Sequence, residues 1–142
     1  MRYRTLGRTG LRAGEIGVGC EGFLGKTPEQ VREWLDVMEA AGANCIDLYT
    51  PDPAFRSNLG RALRGRREKF ILQAHLCAVW KEGQYKRTRD VAEVREGFED
   101  QLRRLETDHV EIHDPLCGLP EGLGDGEKRS CYGLRAGAEG EG

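Results

Sequence analysis

The stretch Asn44–Leu63, NCIDLYTPDPAFRSNLGRAL, decides the fold. Its apolar residues around Ile46 are typical of a short buried strand. Asp52 and Pro53 then indicate a helix start, because aspartate caps a first turn and proline loses nothing at the first helical position. The strand delivers an acid, Asp47, to the loop before that helix. An acid at the carboxyl end of a strand in an α/β protein is a candidate site residue.

Alternating strands and helices are predicted on both sides of this stretch. On the N-terminal side we predict a hairpin of Tyr3–Leu6 and Gly14–Cys20, and then a helix between Thr27 and Gly42. The apolar face of that helix carries Val31, Trp34, Leu35, Met38 and Ala41. On the C-terminal side we predict a strand at Lys69–Leu76, a helix between Asp90 and Leu105, and a strand at His109–His113. The basic segment with Lys81, Lys86, Arg87 and Arg89 is predicted as a solvated loop. The order of a hairpin and then β-α-β-α-β-α-β predicts parallel strands with covering helices.

The segment Asp114–Gly142 departs from this pattern. Glycine and charged residues dominate it, and no apolar periodicity continues. Such a segment buries too little surface to offset its ordering entropy. We therefore predict two parts, a folded unit at 1–113 and a disordered Gly-rich tail at 114–142.

Composition limits the classes of partner. The net charge of −2 argues against nucleic-acid and membrane-surface roles, since both need a basic excess. No apolar stretch approaches the ~20 residues of a membrane span, and we expect a cytoplasmic protein. The five cysteines are scattered without a C-x-x-C pair, so we predict reduced thiols and no metal site.

Four phrases in combination resemble a known family. They are RTLGRTGLRAGEIGVGC, CIDLYTPDP followed by SNLGRAL, REKFILQAH and LRRLETDHVEI. Together they cover roughly residues 1–112 and resemble the N-terminal part of the aldo/keto reductase family, most closely its bacterial members with a ferredoxin-like iron–sulfur extension. The resemblance implies a (β/α)8 TIM barrel closed at its base by the hairpin. Such a barrel needs about 250 residues, so the chain would hold its first half.

The resemblance also implies NADPH-dependent reduction of aldehydes or ketones, carried out by an aspartate, a tyrosine, a lysine and a histidine. Asp47 matches the aspartate, whereas Asp52 stands where the tyrosine is expected. Tyr49 is the nearest substitute proton donor, and His75 replaces the lysine at the end of the third strand. The phrase His113-Asp114-Pro115 is similar to the family's H-x-P, three residues earlier than expected. Four parallel strands around a shared interior would bring Asp47, His75 and His113 at the end of the fourth strand to the same rim. Either the strand is shortened or the sequence leaves the family after Ile112, as a frameshifted or truncated gene would; we favour the second.

The resemblance places the nicotinamide ribose beside Gly19, Cys20 and Glu21, next to Asp47. The same region fits G-x-G-x-x-G at Gly17–Gly22, a Rossmann pattern, but the following helix starts too late for that fold. Ordinary structural roles compete with each assignment. The competing interpretations are a helix cap for Asp52, a backbone cap for Asp47, a core histidine for His75 and a rim aromatic for Tyr49.

Two functions of different class follow. The first is an NAD(P)H-dependent oxidoreductase of the aldo/keto reductase type that acts on a small carbonyl substrate. The second is a non-catalytic half-barrel fragment or protein-binding module. Because the resemblance implies a truncated reductase, we expect no turnover from the chain as written. A barrel cut after four strands leaves an edge strand and an apolar interior unpaired, and this predicts self-association.

Overall fold

A computed structural model describes residues 1–115. Its strands are β1 (Tyr3–Thr5), β2 (Arg12–Gly14), β3 (Gly17–Gly19), β4 (Cys45–Leu48), β5 (Ile71–Leu76), β6 (Ala78–Lys81), β7 (Gln84–Arg87) and β8 (Ile112–Pro115). Its α-helices are α1 (Pro28–Ala41), α2 (Pro53–Leu63) and α3 (Val91–Leu105). The predicted tail lies outside the described residues except for Asp114 and Pro115, which belong to β8.

Four strands form the central sheet in the order β3-β4-β5-β8, and every neighbouring pair is parallel. One face of this sheet is buried under α1, α2 and α3. The buried side chains of that face include Ile46, Leu48, Leu72, Ala74 and Leu76. The predicted α/β architecture, a hairpin followed by four parallel strands with covering helices, is confirmed.

The predicted helix starts are confirmed in atomic detail. Thr27 and Gln30 form a reciprocal capping box at α1, which satisfies two free backbone groups at once. Asp52 accepts a hydrogen bond from the Phe55 amide at 2.6 Å, and Asp90 caps α3 in the same way. The interpretation of Asp52 as a helix cap is therefore confirmed.

The N-terminal hairpin is shorter than predicted. Strand β1 pairs antiparallel with β2. The extended segment is interrupted at Glu15 and Ile16, and β3 then starts in the central sheet. Asn44 fixes this arrangement, because its side chain accepts from the Gly14 amide and donates to the Arg12 carbonyl. The predicted second strand Gly14–Cys20 is thus divided between two sheets.

The prediction of a loop after β5 is wrong. Strands β6 and β7 form an antiparallel hairpin in which Trp80 pairs with Tyr85. Glu82 and Gly83, at φ of 52° and 74°, make its turn, since both central residues of a type I′ turn need positive φ. Before this hairpin, Cys77 also has a positive φ of 70°, which reverses the chain at the end of β5.

Two further details differ from prediction. Strand β8 begins at Ile112, whereas the sequence indicated His109. Residues before it are held by Arg67, which donates to the carbonyl oxygens of Phe70 and His109 and pairs with Glu111. Trp34, predicted on the apolar face of α1, is 53% exposed.

Helices α2 and α3 approach closely at Gly60. A Cβ atom at Gly60 would lie 2.8 Å from the Cα atom of Leu105, closer than side chains pack. The small residue lets the two helices cover β4 and β5 side by side. Among residues 1–115, no helix is long and apolar enough to cross a membrane.

Candidate functional site

The second face of the central sheet carries the candidate site. Side chains alternate along a strand, so the residues between the buried ones of β4 and β5 point away from the helices. They are the half-buried Cys45, Asp47, Gln73 and His75, joined in β8 by Asp114. No described helix covers this face. The same alternation and register also place Ile71 and Ile112 on it, so the face is mixed in polarity, whereas the sequence predicted an apolar barrel interior.

Asp47 and His75 meet on this uncovered face. The Nε2 atom of His75 lies 2.6 Å from Oδ1 of Asp47, within ion-pair distance. The His75 side chain is 10% exposed and that of Asp47 is 42% exposed. The contact is not aligned as a hydrogen bond, so Oδ1 of Asp47 and both ring nitrogens of His75 are buried without a hydrogen-bond partner within residues 1–115. Buried polar atoms in this state are rare in folded proteins, and a catalytic or binding role is one of their explanations.

The strand register explains this meeting. Asp47 pairs with Gln73 across β4 and β5, and His75 lies two residues further along β5 on the same face. On the other side of β5, His75 pairs with Asp114 of β8. Sequence reasoning missed Gln73 and Asp114. The alternation of β5 could have indicated Gln73, but Asp114 needed the correct bounds of β8.

His113 is not brought to this group. It pairs with Ala74, which faces the helices, and its ring lies 5.1 Å from that of Phe98 in α3. The sequence placed His113 at the rim with Asp47 and His75, and the structure places it on the opposite face of the sheet. Burial lowers its pKa, and its Nε2 atom has no hydrogen-bond partner in the described region.

Tyr49 follows β4 and packs partly against the core. Burial raises the pKa of its phenol, and the nearby Glu21 carboxylate raises it further. A proton donor at neutral pH needs the opposite shift. The environment of Tyr49 therefore does not tune it as an acid.

The residues predicted beside a nicotinamide ribose differ in their accessibility. Cys20 is fully buried, and burial raises the pKa of its thiol to about 11 although the backbone amides of Thr50 and Tyr49 approach the sulfur. Gly19 and Glu21 are exposed at the end of β3. Gly19 pairs with Asp47, so the open positions border the same rim.

Other sequence candidates have structural roles. Lys81 of the basic segment pairs with Glu93, and Lys86 pairs with Glu82. Only a short 3₁₀ helix, Cys20–Phe23, starts within Gly17–Gly22, and the next α-helix starts at Pro28, so the glycine pattern does not open an α-helix as a Rossmann site requires. A search of residues 1–115 gives no group of three side chains suited to a metal ion.

No protein-family model matches the chain. Similar proteins are found by sequence. The chain is 28% identical over 137 residues to aldo-keto reductase YhdN of Bacillus subtilis, covering 85% of this chain and 41% of that protein. It is 29% identical over 125 residues to the uncharacterized oxidoreductase YqkF of the same organism, covering 85% and 40%.

The chain is also similar to a solved structure of an aldo-keto reductase. The holo form of aldo-keto reductase AKR11C1 from Bacillus halodurans superposes with a TM-score of 0.67 at 30% identity, over 80% of this chain and 39% of that one. The chain thus spans about 40% of the length of the curated relatives it matches. The closer likeness to members with an iron–sulfur extension stays a prediction.

Proposed function

We propose that this chain, which is related to the N-terminal part of the aldo-keto reductase family, contributes the first half of the site of an NAD(P)H-dependent oxidoreductase that reduces aldehydes or ketones. The observation that carries the proposal is the contact of His75 with Asp47 on the uncovered sheet face. The relatives of the chain support the oxidoreductase class. The carbonyl substrate and the cofactor are part of the proposal.

The residues at the rim fit the ribose end of a nicotinamide dinucleotide. Oδ1 of Asp47 is buried, whereas the Asp47 side chain as a whole is 42% exposed. Solvent therefore reaches the remaining side-chain atoms, which are the second carboxylate oxygen and the methylene group. A carboxylate accepts hydrogen bonds from ribose hydroxyl groups, as in other dinucleotide sites. No atom lies within 4 Å of a Cβ built at Gly19, which leaves space beside the carboxylate. When bound, the nicotinamide supplies a hydride.

The chain's own residues must supply the proton. An imidazole titrates near neutral pH and can hold a proton for the oxygen that forms during reduction. The carboxylate of Asp47 lies 2.6 Å from Nε2 of His75, so it faces the ring nitrogen that would carry the proton. We assign the proton to His75, with Tyr49 as the second candidate because its raised pKa opposes the role.

The test is titration of the purified chain with NADPH, followed by fluorescence, with an aldehyde added at saturation. We expect saturable binding that Asp47→Asn weakens. Any aldehyde-dependent oxidation of NADPH that the chain catalyses should be abolished by His75→Ala. His109→Ala is the matched control, since His109 lies before β8 and pairs with Asp108 and Glu111. Failure of the unmodified chain to bind NADPH would contradict the proposal.

The open sheet favours a second candidate function. Within residues 1–115 the central sheet has two unpaired strand edges, which suit a non-catalytic module that binds another polypeptide. The same titration separates the two functions. Without NADPH binding, the non-catalytic module is the better description.

A further inference from the structure

A cavity lies between helices α2 and α3 and the β6–β7 hairpin. Its volume is about 350 Å³, which is at the small end of the range for ligand pockets. Pro53 of α2, Gly97 of α3 and Trp80 of β6 are among the residues that line it. Neither Asp47 nor His75 lines it, and neither do the edge strands of the central sheet. The cavity is therefore separate from the candidate site described above.

The wall of this cavity includes a buried arginine, Arg56 of α2, which is 2% exposed. Its Nε atom donates to the Thr50 carbonyl at 3.3 Å, and its Nη1 atom donates to the Gly97 carbonyl at 3.4 Å. Both hydrogen bonds are long, and the Nη2 atom makes none within residues 1–115. A guanidinium group carries more donors than these two bonds use. Arg56 can therefore donate to a ligand in the cavity.

The positive charge of Arg56 has no counterion within residues 1–115, where no carboxylate lies at ion-pair distance from it. Burial lowers the pKa of this guanidinium to about 10, so the group is still charged at neutral pH. A buried charge without a partner is costly, and a bound anion would offset that cost. The other basic side chains that line the cavity already have partners. These pairs are Lys81 with Glu93, and Arg103 and Arg104 with Asp100.

The rest of the cavity limits the kind of anion that fits. Glu96 and Glu99 also line it, and both are exposed. Their negative charges disfavour an anion with more than one charge, such as a phosphate dianion. Val79 and Trp80 contribute apolar and aromatic surface, and Trp80 is 38% exposed. The cavity is thus suited to a ligand with one negative charge and an apolar or aromatic body.

We infer that this cavity binds a small monocarboxylate, whose carboxylate pairs with Arg56 and whose apolar body contacts Trp80. A guanidinium group matches a carboxylate in shape as well as in charge, because its parallel N–H groups donate to both oxygens. The bound ligand also bridges separate parts of the fold, since Arg56 contacts Thr50 before α2 and Gly97 in α3. The inference does not rest on the proposed function, and it is tested without NADPH.

The experiment is a titration of the isotope-labelled chain with benzoate, followed by nuclear magnetic resonance of the indole N–H groups of its two tryptophans. The Trp80 signal should shift and saturate. The Trp34 signal is the internal control and should not move, because Trp34 lies on α1 and does not line the cavity. Benzamide, which has the same ring without the charge, should bind at least about tenfold more weakly than benzoate. Inorganic phosphate should also bind more weakly than benzoate.

Replacement of the arginine tests its part in binding. Arg56→Met should reduce the affinity for benzoate to that for benzamide, a loss of at least about tenfold. Arg32→Met is the matched control, because Arg32 is an exposed arginine of α1 that donates to the Arg61 carbonyl and lies outside the cavity. Circular dichroism verifies that both variants are folded. If Arg56→Met does not fold, the comparison of benzoate with benzamide on the unmodified chain decides.

Four results would overturn the inference. The first is a Trp80 signal that does not move at any soluble concentration of benzoate, and the second is equal affinity for benzoate and benzamide. The third is a folded Arg56→Met protein that binds benzoate as tightly as the Arg32→Met protein does. The fourth is inorganic phosphate that binds more tightly than benzoate, since a singly charged carboxylate would then be the wrong class of ligand.

Discussion

His75 and Asp47 approach to 2.6 Å between Nε2 and Oδ1, across two neighbouring strands and on the one sheet face that no described helix covers. Each comes from a strand that also supplies core side chains, so packing on the helix side fixes their positions. The pair is therefore held rigidly although it makes no aligned hydrogen bond. Its predicted role is the proton transfer of a carbonyl reduction.

Replacement of His75 tests whether its ring carries the proton. His75→Ala should lower aldehyde-dependent NADPH oxidation about 10²- to 10⁴-fold, the usual contribution of a positioned acid. His75→Lys should restore part of the rate and shift its pH profile, because an ammonium group also carries a proton beside Asp47. The measurement is turnover as a function of pH. Equal rates for the alanine variant and the unmodified chain would remove His75 from the mechanism.

Stability should depend on pH through His113. Burial lowers its pKa, so the folded chain binds this proton less tightly than the unfolded chain does. The contribution is fully present above the unfolded pKa of about 6.5 and is lost as pH falls through the lower folded pKa. His113→Phe, which keeps a ring against Phe98, should reduce the loss of unfolding free energy between about pH 7.5 and about pH 5.

Urea unfolding of both proteins at the two pH values measures this difference. His109→Ala is the control, since its side chain is 38% exposed and lies outside the sheet. A His113→Phe protein with the same pH dependence as the unmodified chain would contradict the assignment.

Gly60 should tolerate no side chain. Gly60→Ala drives a methyl group against the backbone of Leu105 and should cost about 1–3 kcal/mol of unfolding free energy. Gly22→Ala should be close to neutral, because a Cβ there has no neighbour within 4 Å. Chemical denaturation of the two variants gives the comparison, and equal midpoints would show that α2 and α3 do not approach as described.

Cys20 should resist alkylation in the folded chain. Burial raises the pKa of its thiol from 9.0 to about 11, which lowers the thiolate fraction about a hundredfold near pH 8. Peptide mapping after iodoacetamide treatment should show Cys20 unmodified until urea unfolds the protein. Labelling of Cys20 as fast as in the unfolded chain would contradict its buried position.

Local chemistry made much of the fold predictable. Thr27, Asp52 and Asp90 begin helices because their side chains accept from free backbone amides, and such signals lie within a few residues. Gly42 ends α1 in the left-handed conformation for an equally local reason. The alternation of β4 and β5 likewise indicated that Asp47 and His75 could share a face.

What escaped prediction depends on tertiary contacts. The exposure of Trp34 follows from where α2 packs, which helical spacing alone does not specify. The sheet face on which His113 lies depends on the residue at which β8 starts. Arg67 contacts His109 and Glu111, and β8 starts only after them. The turn of the β6–β7 hairpin could have been recognised from Glu82-Gly83, which adopt positive φ. The charged residues around them instead led to the prediction of a solvated loop.

The mixed character of the uncovered sheet face has a consequence for solvent conditions. Asp47, Gln73, His75 and Asp114 hydrate readily, whereas Ile71 and Ile112 on the same face do not. Excluded salts such as sulfate, which strengthen the burial of apolar surface, should therefore favour states in which this face is covered.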